Sequence, residues 1–179
     1  DLRAVTTGCA VLLIDEIDRA DEPFDAYLLE VLSDFQISVP ELGQIKAPSP
    51  PLCILTSNRT REIHDALKRR CLYHFLGYPS EKRELEIVSA RAPQAGPQLA
   101  AQIVALVQRL RQLDLFKPPG VAETLDWVAA LISLSRQAVS ADSVDATLGV
   151  VLKYQDDIAK VKGPLAQKLV AEVKAQIPG

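Results

Sequence analysis

The run Ala10-Val11-Leu12-Leu13-Ile14-Asp15-Glu16 constrains this chain more than any other stretch. Five consecutive apolar residues are too few for a helix of ordinary length. With no polar alternation, they predict a parallel strand buried on both faces. In open parallel sheets, ligands sit beyond the carboxyl ends of the strands, which is where Asp15 and Glu16 fall. Successive strand side chains point to opposite faces, so the two carboxylates are expected to do different work. One suits a hydrated cation, the other an attacking water. The same residues also read as a buried strand followed by the acidic start of a helix.

Downstream, Asp21 is placed to cap a helix over 23–35, with Pro23 in its first turn and Phe24, Tyr27, Leu28, Val31, Leu32 and Phe35 on one apolar face. Residues 36–47 alternate around Pro40-Glu41-Leu42-Gly43, the pattern of a short β-hairpin. Beyond Pro48, Pro50 and Pro51, the run Leu52-Cys53-Ile54-Leu55-Thr56 reads as a second buried strand, ending in Ser57-Asn58-Arg59. Thr60 is the expected cap of a helix over 61–70, and the alternation from Cys71 to Tyr78 predicts a third strand, closed by Pro79. After the polar lead-in at 1–8, the first 79 residues therefore read as an α/β unit with parallel main strands. From Ser80 the spacing predicts helices alone, over 81–92, 99–113, 121–139, 143–162 and 164–177. The domains expected are 1–79 and 80–179, with the linker near Pro79-Ser80. Trp127 is expected in the helical core.

Composition narrows the function classes. The chain is 24% charged, which fits a globular protein, and its net charge of −3 with a pI near 5.4 gives no overall basic footprint. Nucleic acid is accordingly not an expected partner. No apolar run approaches the roughly 18 residues of a membrane span and no signal-peptide pattern opens the chain, so it reads as cytoplasmic. Cys9, Cys53 and Cys71 form no CxxC pair and are expected as small core residues of a reducing compartment. His64 and His74 lack helical ligand spacing and are assigned to no metal. The chain starts at Asp1 and contains no Met, and so reads as a fragment or a processed chain.

The order of three motifs carries more than any one of them: Asp15-Glu16-Ile17-Asp18 at one strand end, Thr56-Ser57-Asn58-Arg59 at the next, then Asp65-Ala66-Leu67-Lys68-Arg69-Arg70-Cys71, followed by a helical lobe. This combination resembles the AAA+ ATPases, and in wording the MoxR branch associated with carbon monoxide dehydrogenase maturation. The resemblance covers nearly the whole chain. It is sharpest over 11–21 and 52–78 and looser in the lobe, where Pro118-Pro119-Gly120-Val121 and the residues up to Trp127 carry it.

The resemblance implies part of a P-loop AAA+ parallel sheet with an all-helical lid. Asp15 then corresponds to the Mg²⁺ ligand of a Walker B strand, Glu16 to the base that polarises the attacking water, and Asn58 to the sensor-1 amide that meets the water or the γ-phosphate of ATP. Phosphoryl transfer is mostly positioning and charge neutralisation, so these residue types suit it. Arg70 corresponds to the arginine finger that reaches a neighbouring subunit, with Arg69 as its rival. A solvated basic helix end is the plain reading of both. Arg59 and Arg61 are expected to pair with Glu62 and Asp65 or to line a ring interface. The resemblance further implies a homo-oligomeric, hexameric ring, a von Willebrand factor A-domain partner and a client metalloenzyme whose cofactor insertion the motor assists.

Two departures stand out. No G-x-x-x-x-G-K-[ST] occurs, so the phosphate cradle and its lysine are not in these 179 residues, and the chain alone is expected to be inactive. Where the family often has a sensor-2 arginine, the sequence reads Val121-Ala122-Glu123. A non-catalytic scaffold of AAA+ shape is the alternative reading. A clamp-loader-like protein comes third, favoured by Arg69-Arg70-Cys71 and opposed by the acidic charge.

Overall fold

The computed structural model describes residues 10–177. The lead-in at 1–8 and Cys9 lie outside the described residues. Contacts divide the chain into two compact units that meet in sequence between Phe75 and Leu76, a few residues ahead of the expected linker.

The first unit opens with β1 (Val11–Ile14) and a single 3₁₀ turn (Ile17–Arg19), followed by α1 (Glu22–Asp34). Asp21 caps α1 as expected, its carboxylate accepting from the Phe24 amide at 3.1 Å. Phe35 ends the helix in the left-handed region, with φ of 52°. The hairpin is present as β2 (Gln36–Val39) and β3 (Gly43–Lys46), paired antiparallel, and Gly43 supplies the positive φ of its turn. Glu30 of α1 anchors it, accepting from Gln36 Nε2 and from the amide and hydroxyl of Ser38.

The chain then returns as β4 (Leu52–Leu55), parallel to β1, with Val11 opposite Leu52 and Ile14 opposite Leu55. Loop bonds prolong the ladder: Thr56 N donates to Ile14 O, and Ile17 N donates to Thr56 O, both at 3.0 Å. Ile14 and Leu55 turn inward onto Ile17, Leu28 and Leu67, together with Phe24, Leu32 and Ile63. The other face does not match the expectation of two-sided burial. Val11, Leu13, Leu52 and Ile54 share it and are 61%, 60%, 56% and 45% exposed. A two-stranded sheet packed through one face leaves the alternate residues open, and among the described residues nothing covers them.

Three further expectations fail in this unit. The helix over 61–70 shrinks to α2 (Asp65–Lys68), capped by His64 instead of Thr60. Thr60 and Arg61 bond instead to carboxylates earlier in the chain, which holds the backbone ahead of the helix in an irregular path. The third strand is absent too: 71–78 is irregular, and Leu72, Tyr73, Phe75, Leu76 and Tyr78 are exposed. Alternation marks a candidate strand, but a strand needs a ladder partner, and no described segment pairs with this one. Cys53 and Cys71 are half-buried unpaired thiols, not core residues.

The second unit contains helices only among its described residues: α3 (Glu81–Arg91), α4 (Pro97–Leu110), α5 (Val121–Ser133), α6 (Ala141–Val151), α7 (Gln155–Val161) and α8 (Pro164–Gln176). Ser80 caps α3 as expected, accepting from Arg83 N at 3.3 Å. The apolar face of α4, including Ile103, Leu106, Val107 and Leu110, forms the core with Leu131, Leu148 and Val173. Trp127 lies in that core, fully buried, and donates from Nε1 to Thr147 Oγ1 at 2.7 Å.

The expected helix 121–139 stops at Ser133, where Ser135 turns the chain with φ of 56°. The expected helix 143–162 is two helices, broken at Leu152, Lys153 and Tyr154. Tertiary contacts override local preference there: Leu152 is buried, Tyr154 meets the Phe116 ring at a tilt with centroids 4.5 Å apart, and Asp157 turns back to accept the amides of Phe116 and Lys117. Among the described residues, no helix is long and apolar enough to cross a membrane.

Candidate functional site

The site lies in the first unit, where β1 and β4 end side by side. One residue past the ladder, Thr56 uses its hydroxyl twice: Oγ1 accepts from the Glu16 amide at 3.0 Å and donates to Asp15 Oδ1. Glu16 then enters the left-handed region, with φ of 52°, a conformation that costs a non-glycine residue about 1–2 kcal/mol. Glu16 Oε1 accepts from Asn58 Nδ2 at 3.1 Å, and Oε2 meets Arg19 Nε at 3.0 Å. The structure thus brings Glu16 and Asn58 together and gives Asp15 and Glu16 different partners.

Beneath these groups sits Asp18, which the sequence reading passed over. Its buried carboxylate accepts from Asn58 N, Thr60 N and Thr60 Oγ1 at 3.1, 2.8 and 2.5 Å. The Thr60 hydroxyl, then the Thr60 and Asn58 amides, hold its pKa well below the usual carboxylate range against the opposing effect of burial. Asp25 was missed as well. Buried on α1, it receives Arg61 through a two-pronged contact, Nη1 to Oδ2 at 2.9 Å and Nη2 to Oδ1 at 3.1 Å. Contrary to the expectation, Arg61 pairs with Asp25 and not with the carboxylates of Glu62 or Asp65, and it meets Glu62 only at the backbone carbonyl, at 3.4 Å. Those carboxylates go to Lys68, whose pKa rises chiefly through its hydrogen bond to Glu62. Strand alternation past Leu55 was the available signal for Thr56, but nothing local marks Asp18 or Asp25, whose partners lie 36 to 42 residues away.

Arg59 adopts φ of 60° and lays its guanidinium over the Phe75 ring, 5.5 Å from the centroid. With Ser57, Arg61, Glu62, Lys68 and Tyr73 it lines an open cleft of about 660 Å³. Asp15, Glu16 and Asn58 do not line this cleft, so the cleft and the carboxylate constellation are separate features. Arg70 is exposed and held by its own unit, donating from Nε to Ser33 Oγ at 2.7 Å and from Nη1 to the Ala66 carbonyl at 2.9 Å. It is not among the partners of Asp15, Glu16 or Asn58. Arg69 forms the C-cap of α2 and is exposed.

Among the described residues, no group of three or more His, Cys, Asp or Glu side chains could enclose a metal ion. Asp15 and Thr56 offer hard oxygen atoms next to one another. That donor set fits Mg²⁺, which takes one or two carboxylates and fills its octahedron with waters and phosphate oxygens. Burial raises the pKa of the Cys53 and Cys71 thiols, which disfavours the thiolate a nucleophilic role would need. No protein-family model matches the chain, and no curated protein matches it.

Proposed function

We propose that this chain is the hydrolytic half of a MoxR-type AAA+ ATPase, a ring-forming motor that uses ATP to help mature metal-containing client enzymes. One observation carries the reading. At the carboxyl ends of two hydrogen-bonded parallel strands, the Glu16 carboxylate accepts from the Asn58 amide while the adjacent Asp15 is held separately on Thr56.

In this reading Asp15 holds Mg²⁺, which supplies charge neutralisation to the phosphates of bound ATP. Glu16 orients a water and takes its proton, and Asn58, a neutral donor, fixes the direction of that carboxylate. Glu16 must first be released from Arg19. That pair is open to solvent, with side chains 38% and 69% exposed, so separating it costs at most about 1 kcal/mol. Arg70, held through Nε and Nη1, would serve the nucleotide of an adjacent copy in a hexameric ring. A von Willebrand factor A-domain protein and a client metalloenzyme are the partners that accompany the reading.

The residues fit only the γ-phosphate end of a nucleotide site. The Gly-rich loop and lysine belong to another segment of the ATPase, so the chain by itself neither holds ATP tightly nor hydrolyses it. The test is Glu16→Gln in the ATPase that carries this segment together with a phosphate loop. Nucleotide affinity should be unchanged and hydrolysis should fall by about 10²- to 10⁴-fold, because the amide keeps the shape but cannot accept a proton. Equal loss of binding would overturn the assignment of Glu16. An ATPase segment inactive before any substitution would favour the non-catalytic scaffold.

A further inference from the structure

Two loops carry the site, one after β1 and one after β4; Thr56 ties their first residues together through Asp15, Glu16 and Ile17, and beyond Thr56 their mutual placement depends on few bonds. The Glu16–Asn58 contact joins them but is exposed, and a single exposed hydrogen bond gives little rigidity because water competes for both partners. Asp18 is different. It is 4% exposed, and its two oxygens together accept three donors from Asn58 and Thr60. Those two residues flank Arg59, whose left-handed backbone sets the path between them. An ionised carboxylate accepting several hydrogen bonds in a buried setting is a much stronger tie than a neutral surface contact. The main chain on which the Asn58 side chain stands is therefore fixed from below.

We propose that Asp18 is a positioning residue: by clamping the backbone of Asn58 and Thr60, it sets where the Asn58 amide meets Glu16. Asparagine cannot replace it. An amide has one acceptor oxygen, and its NH₂ would face N–H and O–H donors that need acceptors, so at least one anchor is lost and the loop shifts. Thr60→Val removes one anchor and keeps the shape of the side chain. The placement role concerns this chain alone. Its consequence for turnover rests on the ATPase reading above.

The experiment is nuclear magnetic resonance of the side-chain NH₂ of Asn58 in this chain. Asp18→Asn should move those resonances to the position of a solvent-exposed asparagine and speed their exchange with water, and Thr60→Val should move them part of the way. A merely structural role would lower the unfolding midpoint and leave the resonances of the folded chain where they are. That outcome in Asp18→Asn overturns the proposal. If Asp18→Asn does not fold, unchanged resonances in folded Thr60→Val overturn it equally. In the ATPase carrying this segment, Asp18→Asn should lower kcat by up to about 10²-fold at unchanged nucleotide affinity, the reach of a roughly 1 Å misplacement. If the amide moves and kcat does not, the ATPase reading fails and the placement role stands.

Discussion

Buried carboxylates in this chain are tolerated because their lone pairs are filled. Glu84 is the clearest case, fully buried and accepting from Arg111 Nη1 and Nη2 at 2.7 Å, Gln108 Nε2 at 2.8 Å and Thr124 Oγ1 at 2.7 Å. Arg111 is itself nearly buried, bonded to the Pro119 carbonyl and laid on the Tyr78 ring. Glu84→Ala would strand that cation, and is expected to destabilise the helical unit by about 3–5 kcal/mol. Urea unfolding followed by fluorescence reads this unit alone, since Trp127 is the single tryptophan. A loss below about 1 kcal/mol would mean that Arg111 escapes to water. Asp18 contributes to acid behaviour instead. Its folded-state pKa lies below its unfolded one, as does that of Glu30, held down chiefly by the Ser38 hydroxyl. Protonation therefore favours the unfolded chain, and the stability these groups contribute is complete above the ordinary carboxylate pKa of about 4 and disappears as pH falls below it. Asp18→Asn should be less stable at pH 7 and lose less between pH 5 and pH 3, measured as urea midpoints by circular dichroism. Equal slopes would remove Asp18 from the acid transition.

At the scale of elements, the caps are the most exposed to test. Asp21→Ala removes the acceptor of the Phe24 amide and should lower the stability of the first unit by about 1 kcal/mol, read by circular dichroism. No change would mean that water replaces the cap fully. Helices were legible where period and cap agreed, as in α1 behind Asp21 and α3 behind Ser80. The parallel pairing of β1 with β4 was legible from two apolar runs separated by a helix and a hairpin. Legibility ended where a distant partner decides the local path. The run 71–78 alternates like a strand but lacks a ladder, and 61–64 is drawn out of helix by Asp18 and Asp25. The segment 152–154 leaves helix because Asp157 and Tyr154 answer residues near 116. At the candidate site, the placement of Asp15, Glu16 and Asn58 just past the ends of two neighbouring strands was legible from the two apolar runs. Asp18, Asp25 and Thr56 act through pairings 36 to 42 residues long, which no local pattern records.

For the whole molecule, the proposed ring turns on Arg70. Arg70→Ala in the ATPase should leave each subunit folded and able to bind nucleotide, since an exposed arginine contributes little stability. Hydrolysis should fall by about 10³- to 10⁵-fold, the reach of a guanidinium supplied in trans. Mixing Arg70→Ala with Glu16→Gln subunits should restore part of the activity, because some sites then join an intact Glu16 to an intact Arg70. Mixed rings that remain inactive would remove Arg70 from the role and leave Arg69 to be tested. The open face formed by Val11, Leu13, Leu52 and Ile54 has a different kind of consequence. Two chains meeting there would expel the same kind of water that folding expels, which makes the sheet surface adhesive toward its own kind. A net charge of −3 offers weak colloidal repulsion, and that repulsion vanishes near pH 5.4. Concentrated solutions should therefore cloud through the sheet unit first, forming precipitates in which the helical unit is still native.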